Sequence, residues 1–201
     1  MFLLAAVLVA GVAVGLALGG SLRRLAELSF RWWPLALLGL ALQFVPVSGS
    51  GSTARAWGEG LLIASFALLT VFVGANLRVP GMPVLAVGFV LNIVAIAVNG
   101  GMPVSDHALR VAYGSDYAEQ RRELVGSAGA KHHLAGPSDT VEFLTDVIAI
   151  PSPVHLVISA GDAVSFVGAG WVVAAATLGN ARRVPVRPAR PKRAVAGDGS
   201  A

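Results

Sequence analysis

The chain has 201 residues, 55 % of them hydrophobic and only 13 % charged, about half the charged share of a soluble domain, which excludes an ordinary water-soluble globule. Its formal net charge of +4 is no nucleic-acid signature, because the basic C-terminal stretch lacks interleaved aromatics that would stack on bases. With no cysteine, no disulfide can order any segment that faces an oxidising compartment.

Crossing the hydrocarbon core as a helix takes roughly 20 apolar residues. Five runs come close: Met1 to Gly20, Trp33 to Val47, Gly60 to Asn76, Pro83 to Val98, and Ile158 to Gly179. The expectation is an all-α membrane protein with five transmembrane helices, the second being the shortest. Met1 to Gly20 has no basic residue ahead of its apolar stretch and is followed by Arg23 and Arg24, so it reads as a retained helix rather than a secretory signal. Gly11, Gly15 and Gly19 recur every fourth residue on one face of it, a spacing that lets a neighbouring backbone approach closely. Arg31, Trp32 and Trp33 form an interfacial anchor, and Pro34 suits a first helical turn. Pro80, Gly81 and Pro83 predict a tight turn joining the third and fourth spans as an antiparallel hairpin. Residues 1–99 thus hold helices 1 to 4, 100–154 an extracytoplasmic cap, 155–180 helix 5, and 181–201 a disordered basic cytoplasmic tail.

The cap segment carries all the histidines except His155 just beyond it, and most of the acids. Asp106 is placed to cap a short helix through Tyr113. Asp116 with Glu119 has capping-box spacing for a helix through Val125, and Asp139 with Glu142 repeats it. Gly126 to Gly136 reads as a mobile or ligand-gated loop. The cap is therefore expected to be partly helical.

Lys and Arg concentrate in cytoplasmic segments. With the N-terminus outside, five spans leave Ser21 to Trp32, the Arg78 turn and the tail inside, which predicts a cytoplasmic C-terminus. The excess of Arg over Lys and the abundance of Ala, Gly and Val fit a bacterial gene, so a bacterial plasma membrane is the expected location. The tail's Arg182, Arg183, Arg187, Arg190, Lys192 and Arg193 then face anionic inner-leaflet lipid, each worth about 1 kcal/mol near such a surface. A membrane-protein partner or a second copy of the chain is the other partner this organisation admits. No nucleic acid is expected.

Several stretches together resemble the signature of an uncharacterised family of small bacterial multi-pass integral membrane proteins, a family of unknown function. They are Asn99-Gly100-Gly101-Met102-Pro103-Val104-Ser105, Lys131-His132, Asp139-Thr140, Asp146-Val147-Ile148 and Ser159-Ala160-Gly161-Asp162, with Gly19 to Leu22 and Asn76 to Gly81 in support. The resemblance covers about residues 1 to 180. The family pattern tends to place glycine before the acid that corresponds to Asp146; here Thr145 stands there, and the local turn is the feature this puts in question. The resemblance implies a shared architecture and no activity.

Two glycines and a proline end the fourth helix at Asn99 to Pro103, leaving backbone groups that need protein or a wet cavity to satisfy them at membrane depth. Asn92 lies two turns deeper on the face of Asn99. Ser159 and Asp162 are expected at the same level, and an ionisable group at the edge of a span is functional or partnered. A polar outer pocket is therefore expected from Asn99, Gly100, Gly101, Met102, Pro103, Lys131, His132, Asp139, Thr140, Asp146, Ser159 and Asp162. The plainer alternative is that Asp162 only caps the fifth helix or accepts hydrogen bonds from the Asn99 to Gly101 turn.

Three functions stay open on the sequence. The first is binding of a small ligand, ion or lipid headgroup in that pocket, including proton or cation transport. The second is a non-catalytic scaffold subunit of a membrane complex. The third is a metal-dependent enzyme using His107, His132 or His133 with Asp139 or Asp146, ligand types that suit zinc or manganese. No His-Glu-x-x-His pair and no Gly-x-Ser-x-Gly elbow supports catalysis, adjacent His132 and His133 point apart on any regular element, and no metal site or cofactor is assigned.

Overall fold

The computed structural model describes residues 2–47, 52–126 and 131–180. The predicted basic tail and residues 127–130 of the predicted loop from Gly126 to Gly136 lie outside them. Five apolar helices stand in a row. In chain order they are α1 (Phe2–Ala17), α3 (Trp33–Phe44), α4 (Ser52–Ala75), α5 (Met82–Asn99) and α8 (Ala160–Leu178), with a short α2 (Leu22–Ala26) following α1. The neighbours in space are α1 with α8, α8 with α5, α5 with α4, and α4 with α3. Each helix runs opposite to the one before it in sequence among these five. Gly39 and Gln43 of α3 meet Leu69 and Ser65 of α4, Asn92 and Gly88 of α5 meet Gly161 of α8, and Gly11 and Gly15 of α1 meet Gly170 and Thr177 of α8.

Among the described residues, only α4, α5 and α8 are long and apolar enough to cross a membrane. α1 has 16 residues and α3 has 12, about 24 and 18 Å at 1.5 Å per residue, short of the roughly 30 Å hydrocarbon core. The five expected runs all form helices, but two fall below spanning length. Large apolar side chains such as Val9, Leu37, Val71, Val87, Val94 and Val167 stay exposed along the row, far more apolar surface than a water-soluble monomer leaves uncovered.

Glycine sets the helix spacing. A Cβ at Gly88 would sit 2.6 Å from the Gly161 carbonyl oxygen, one at Gly168 2.6 Å from the Leu85 amide nitrogen, and one at Gly11 2.6 Å from the Gly170 carbonyl oxygen. Such contacts exist only where a residue has no side chain. Gly11 and Gly15 pack as their spacing predicts, whereas Gly19 meets nothing within 4 Å and has φ +86°. Its work is to end the first helix, where a left-handed backbone favours glycine.

The segment after α5 corrects the all-α expectation. It folds into β1 (Met102–Val104), α6 (Asp106–Tyr113), a 3₁₀ turn (Gly114–Asp116), α7 (Tyr117–Gly126), β2 (His132–Leu134), a second 3₁₀ turn (Glu142–Leu144), β3 (Asp146–Ile150) and β4 (Leu156–Ser159). The strands form a mixed sheet in the order β2-β1-β3-β4, parallel across β2-β1-β3 and antiparallel across β3-β4. The cap is thus a small α/β layer over one end of the helix row. Its core continues into the helices through Leu62, Ala95, Ile96, Met102 and Leu144. A second cluster, Phe72, Val73, Val79, Met82 and Val172, closes the opposite end.

Local capping differs from the expectation in instructive ways. Ser105, one residue before Asp106, caps α6 by accepting from the Ala108 amide. Asp106 instead gathers Arg110, Tyr117 and Arg121, which fasten α6 to α7. Asp139 caps no helix, for the stretch beginning at Glu142 is a single 3₁₀ turn with Val141 before it. His132 to Leu134, within the predicted loop, pairs as strand β2 along β1.

Candidate functional site

The sheet's lower edge and the upper ends of α3, α4, α5 and α8 enclose a chamber of about 250 Å³. Its polar wall is Gln43, Asn92, Lys131, His132, Asp146 and Asp162, and its apolar wall is Phe44, Leu62, Phe66, Ile96 and Met102. Gln43, Phe44, Lys131, His132 and Asp146 also line a wider outer chamber of about 600 Å³, bounded further by Tyr113, Gln120 and Glu123 of α6 and α7. The shared wall makes the outer chamber a vestibule to the inner one.

Asp146 is where the two chambers meet. It begins β3, where pairing with Val104 and Ser159 and a hydrogen bond from the Ser105 amide to its carbonyl fix the backbone. Thr145, in the place where a glycine was expected, ends the 3₁₀ turn by bonding back to the Glu142 carbonyl through both its amide and its hydroxyl. The Asp146 side chain keeps 8 % of its surface accessible, and the basic group it faces, His132 Nε2, lies 3.8 Å from Oδ2, outside hydrogen-bond reach. Burial, reinforced by the Asp162 carboxylate, pushes the Asp146 carboxyl well above the usual carboxylate range.

Asp162 is held differently. It completes a capping box with Ser159 at the start of α8: Ser159 Oγ accepts from the Asp162 amide at 2.9 Å, and Asp162 Oδ2 accepts from the Ser159 amide at 3.3 Å. Its other oxygen accepts from Asn92 Nδ2 at 2.7 Å, and Ser159 Oγ donates to Asn92 Oδ1 at 2.8 Å. Asn92, Ser159 and Asp162 therefore form one closed network across α5 and α8, and Asp162 does cap the fifth long helix while also facing the inner chamber.

Alternation along β2 separates the adjacent histidines, as expected of a strand. His132 turns to the chambers and Asp146, while His133 Nε2 lies 3.2 Å from Asp139 Oδ1 with its Nδ1 buried and unpaired. The His132 side chain is 46 % accessible, and it forms wall in both chambers. The surrounding protein holds its imidazole below the usual histidine range; Asp162 opposes this, and Lys131 and His133 add to it. Lys131 ends the loop before β2. Its ammonium donates to the carbonyls of Leu42, Gln43 and Val45 at 3.1, 2.7 and 2.7 Å, so it caps the C-terminus of α3 where a cation suits the helix dipole. Burial lowers its pKa.

Of the twelve residues expected at the pocket, Met102, Lys131, His132, Asp146 and Asp162 line the inner chamber. The others hold the frame. Asn99 Oδ1 accepts from the Thr140 amide at 2.7 Å and Asn99 Nδ2 donates to the Thr140 carbonyl at 3.1 Å. Gly100 ends α5 at φ +65°, and the Gly101 amide bonds to the Ile96 carbonyl, so the turn satisfies its own backbone without Asp162. Pro103 is fully buried in β1, Asp139 takes the Gly136 amide and faces His133, and Ser159 serves Asn92. Sequence reasoning missed Gln43, Phe44 and Glu123 as wall residues. Gln43 had a signal, being the single polar side chain in the run from Trp33 to Val47.

Among the described residues, no group of three or more His, Cys, Asp or Glu side chains is arranged to hold a metal ion. His107 lies on α6 away from the groups lining either chamber.

A mostly helical chain, with three helices of membrane-spanning length and a mixed sheet over a two-chambered polar site, is the class these features define. The chain belongs to a family of unknown function, DUF5317, whose model matches residues 27–174. It is similar to an uncharacterized protein of Thermotoga maritima, 28 % identical over 154 residues that cover 75 % of this chain and 79 % of that one. No solved structure matches.

Proposed function

We propose that this chain is a bacterial plasma-membrane protein that binds a small ligand, ion or lipid headgroup in the two-chambered site at the outer face. Three helices of spanning length, two shorter apolar helices alternating with them in direction, and the uncovered apolar sides of the row support membrane insertion. In this reading α1 and α3, together with the non-helical residues that flank them, complete five passes. The positive-inside bias of Arg23, Arg24, Arg31 and Arg78 puts the sheet end outside, with the N-terminus outside and the C-terminus in the cytoplasm.

One observation carries the binding reading: a buried carboxylate, Asp146, opens onto both chambers with no hydrogen-bonded basic partner among the described residues. Burying an ionisable group this way costs stability, and a strongly perturbed carboxyl in a cleft is a functional-site candidate. A scaffold needs no such group, and a metal enzyme would need a group of ligands that is not gathered among the described residues.

Native mass spectrometry of the full-length protein released from mild detergent tests the reading. A defined adduct on the wild type that disappears in Asp146→Asn is the expected result. Clean masses for both proteins, or loosely bound lipid unchanged by the substitution, would sink it in favour of the scaffold.

A further inference from the structure

Resting on the binding site just proposed, we infer that its ligand is an organic ammonium ion, whose N–H donors are taken by Asp146 and Asp162 while its hydrocarbon lies against Phe44, Leu62 and Phe66. The charged lining is unbalanced toward acid. Glu123 stands on the vestibule wall, Asp162 on the inner wall and Asp146 on both. Among the described residues, the one lysine or arginine lining either chamber is Lys131, whose three N–H donors are committed to the carbonyls that end α3. His132 is shifted toward its neutral form by the protein around it and stands 3.8 Å from Asp146, outside hydrogen-bond reach.

The two inner carboxylates are unequally satisfied. Asp162 already receives the Asn92 amide and the Ser159 amide. Asp146 is more than nine-tenths buried and faces the chamber with His132 3.8 Å away. An incoming N–H donor restores to Asp146 the hydrogen bonds that burial removed, and a positive one also relieves its repulsion with Asp162. A carboxylate-bearing ligand would meet that repulsion instead, and a neutral alcohol would leave it in place.

Half of the inner wall is apolar, which separates an organic cation from a bare one. Phe44, Leu62, Phe66 and Ile96 give a hydrated metal ion no ligands and Met102 only a soft thioether, and the described residues gather no metal-binding triplet. A primary amine on a short hydrocarbon chain matches both walls.

Isothermal titration calorimetry on full-length protein in nanodiscs of phosphatidylglycerol alone, which carry no amine lipid, tests this. The probes are hexylammonium, hexanol, hexanoate and potassium ion. Saturable binding of hexylammonium in preference to the other three is the expected result, and this comparison uses only the wild type, so it survives any folding defect in a variant. Asp146→Asn is expected to weaken hexylammonium binding roughly ten- to hundredfold, the cost of losing a hydrogen bond to a charged group, and Glu123→Gln to weaken it less. Hexanol or hexanoate binding as tightly as the amine overturns the ammonium assignment while leaving the pocket intact. Potassium binding as tightly overturns it in favour of a simple cation site. No saturable binding of any probe overturns it as well, and if the wild type also lacks a native adduct the pocket reading falls with it.

Discussion

Asn92 and Asp162, seventy residues apart, are joined by a 2.7 Å hydrogen bond across the α5–α8 crossing, and the glycine beside Asp162 makes the bond possible. A Cβ at Gly161 would overlap the Asn92 side-chain oxygen. The polar bridge and the close backbone approach are one device. Asn92 spends its amide on Asp162 and its carbonyl oxygen on Ser159, so the α8 capping box is tied to the middle of α5.

Asn92→Ala is expected to lower stability by about 1–3 kcal/mol, because it strands polar groups of Ser159 and Asp162 that are otherwise paired. Asn92→Asp should be worse above the carboxylate pKa range, since it sets a like charge against Asp162. Thermal unfolding of the full-length protein in detergent reads both. Equal melting of wild type and Asn92→Ala would mean that the network adds nothing to the helix crossing.

Glycine substitutions should split by what a methyl group meets. Gly88→Ala, where the new carbon would lie 2.6 Å from the Gly161 carbonyl oxygen, is expected to cost about 1–3 kcal/mol through overpacking. Gly60→Ala in α4 meets nothing within 4 Å and should gain about 0.5–1 kcal/mol from helix preference. Melting temperatures that move the same way for both would contradict the helix spacing described above.

How much of this was readable in advance differs by element. The apolar runs announced every long helix, because burial in lipid or between helices needs sustained hydrophobicity. Gly11 and Gly15 announced a close helix approach, though not that α8 makes it. The sheet was hidden. β1 and β2 have three residues each, too few for alternation to register, and Pro103 argues against a strand unless tertiary pairing supplies the reason. β3 and β4 read Asp-Val-Ile-Ala-Ile and Leu-Val-Ile-Ser; the first passed as cap and the second as the start of a span. Asp146, Lys131 and His132 were legible as polar groups near one end of the helices. Gln43, Phe44 and Glu123 join them only because α3 and α7 come to the same place, a long-range fact that spacing does not encode.

Lys131 ties β2 to the end of α3, and its removal should loosen both. Lys131→Met keeps much of the stem but leaves the carbonyls of Leu42, Gln43 and Val45 without the ammonium, at a cost of about 1.5–3 kcal/mol for hydrogen bonds from a charged donor. Hydrogen–deuterium exchange should rise over residues 40–47 and 131–135 together. Exchange unchanged in both segments would show that the ammonium does not hold them.

Asp146 should make stability depend on pH in the direction opposite to a salt-bridged acid. Its folded-state pKa is raised by burial and by Asp162, so as pH climbs past the ordinary carboxylate value the unfolded chain gives up this proton first. Between the unfolded and folded pKa values the folded state holds more protons, and stability falls as pH rises. Below the unfolded pKa the penalty is absent. Above the folded pKa it is complete and constant. Asp146→Asn removes the titration, so the variant should melt higher than wild type near neutral pH and the two should converge in acid, where Asp146 is neutral in both states. Binding of an ammonium ligand should work against this penalty in the wild type, because it favours the charged carboxylate, and should do so little in the variant. Unfolding temperatures of both proteins across the acid to neutral range, with and without hexylammonium, measure every part of this. A variant that melts lower than wild type at neutral pH would show that the carboxylate is a net source of stability rather than a group held at cost for a ligand.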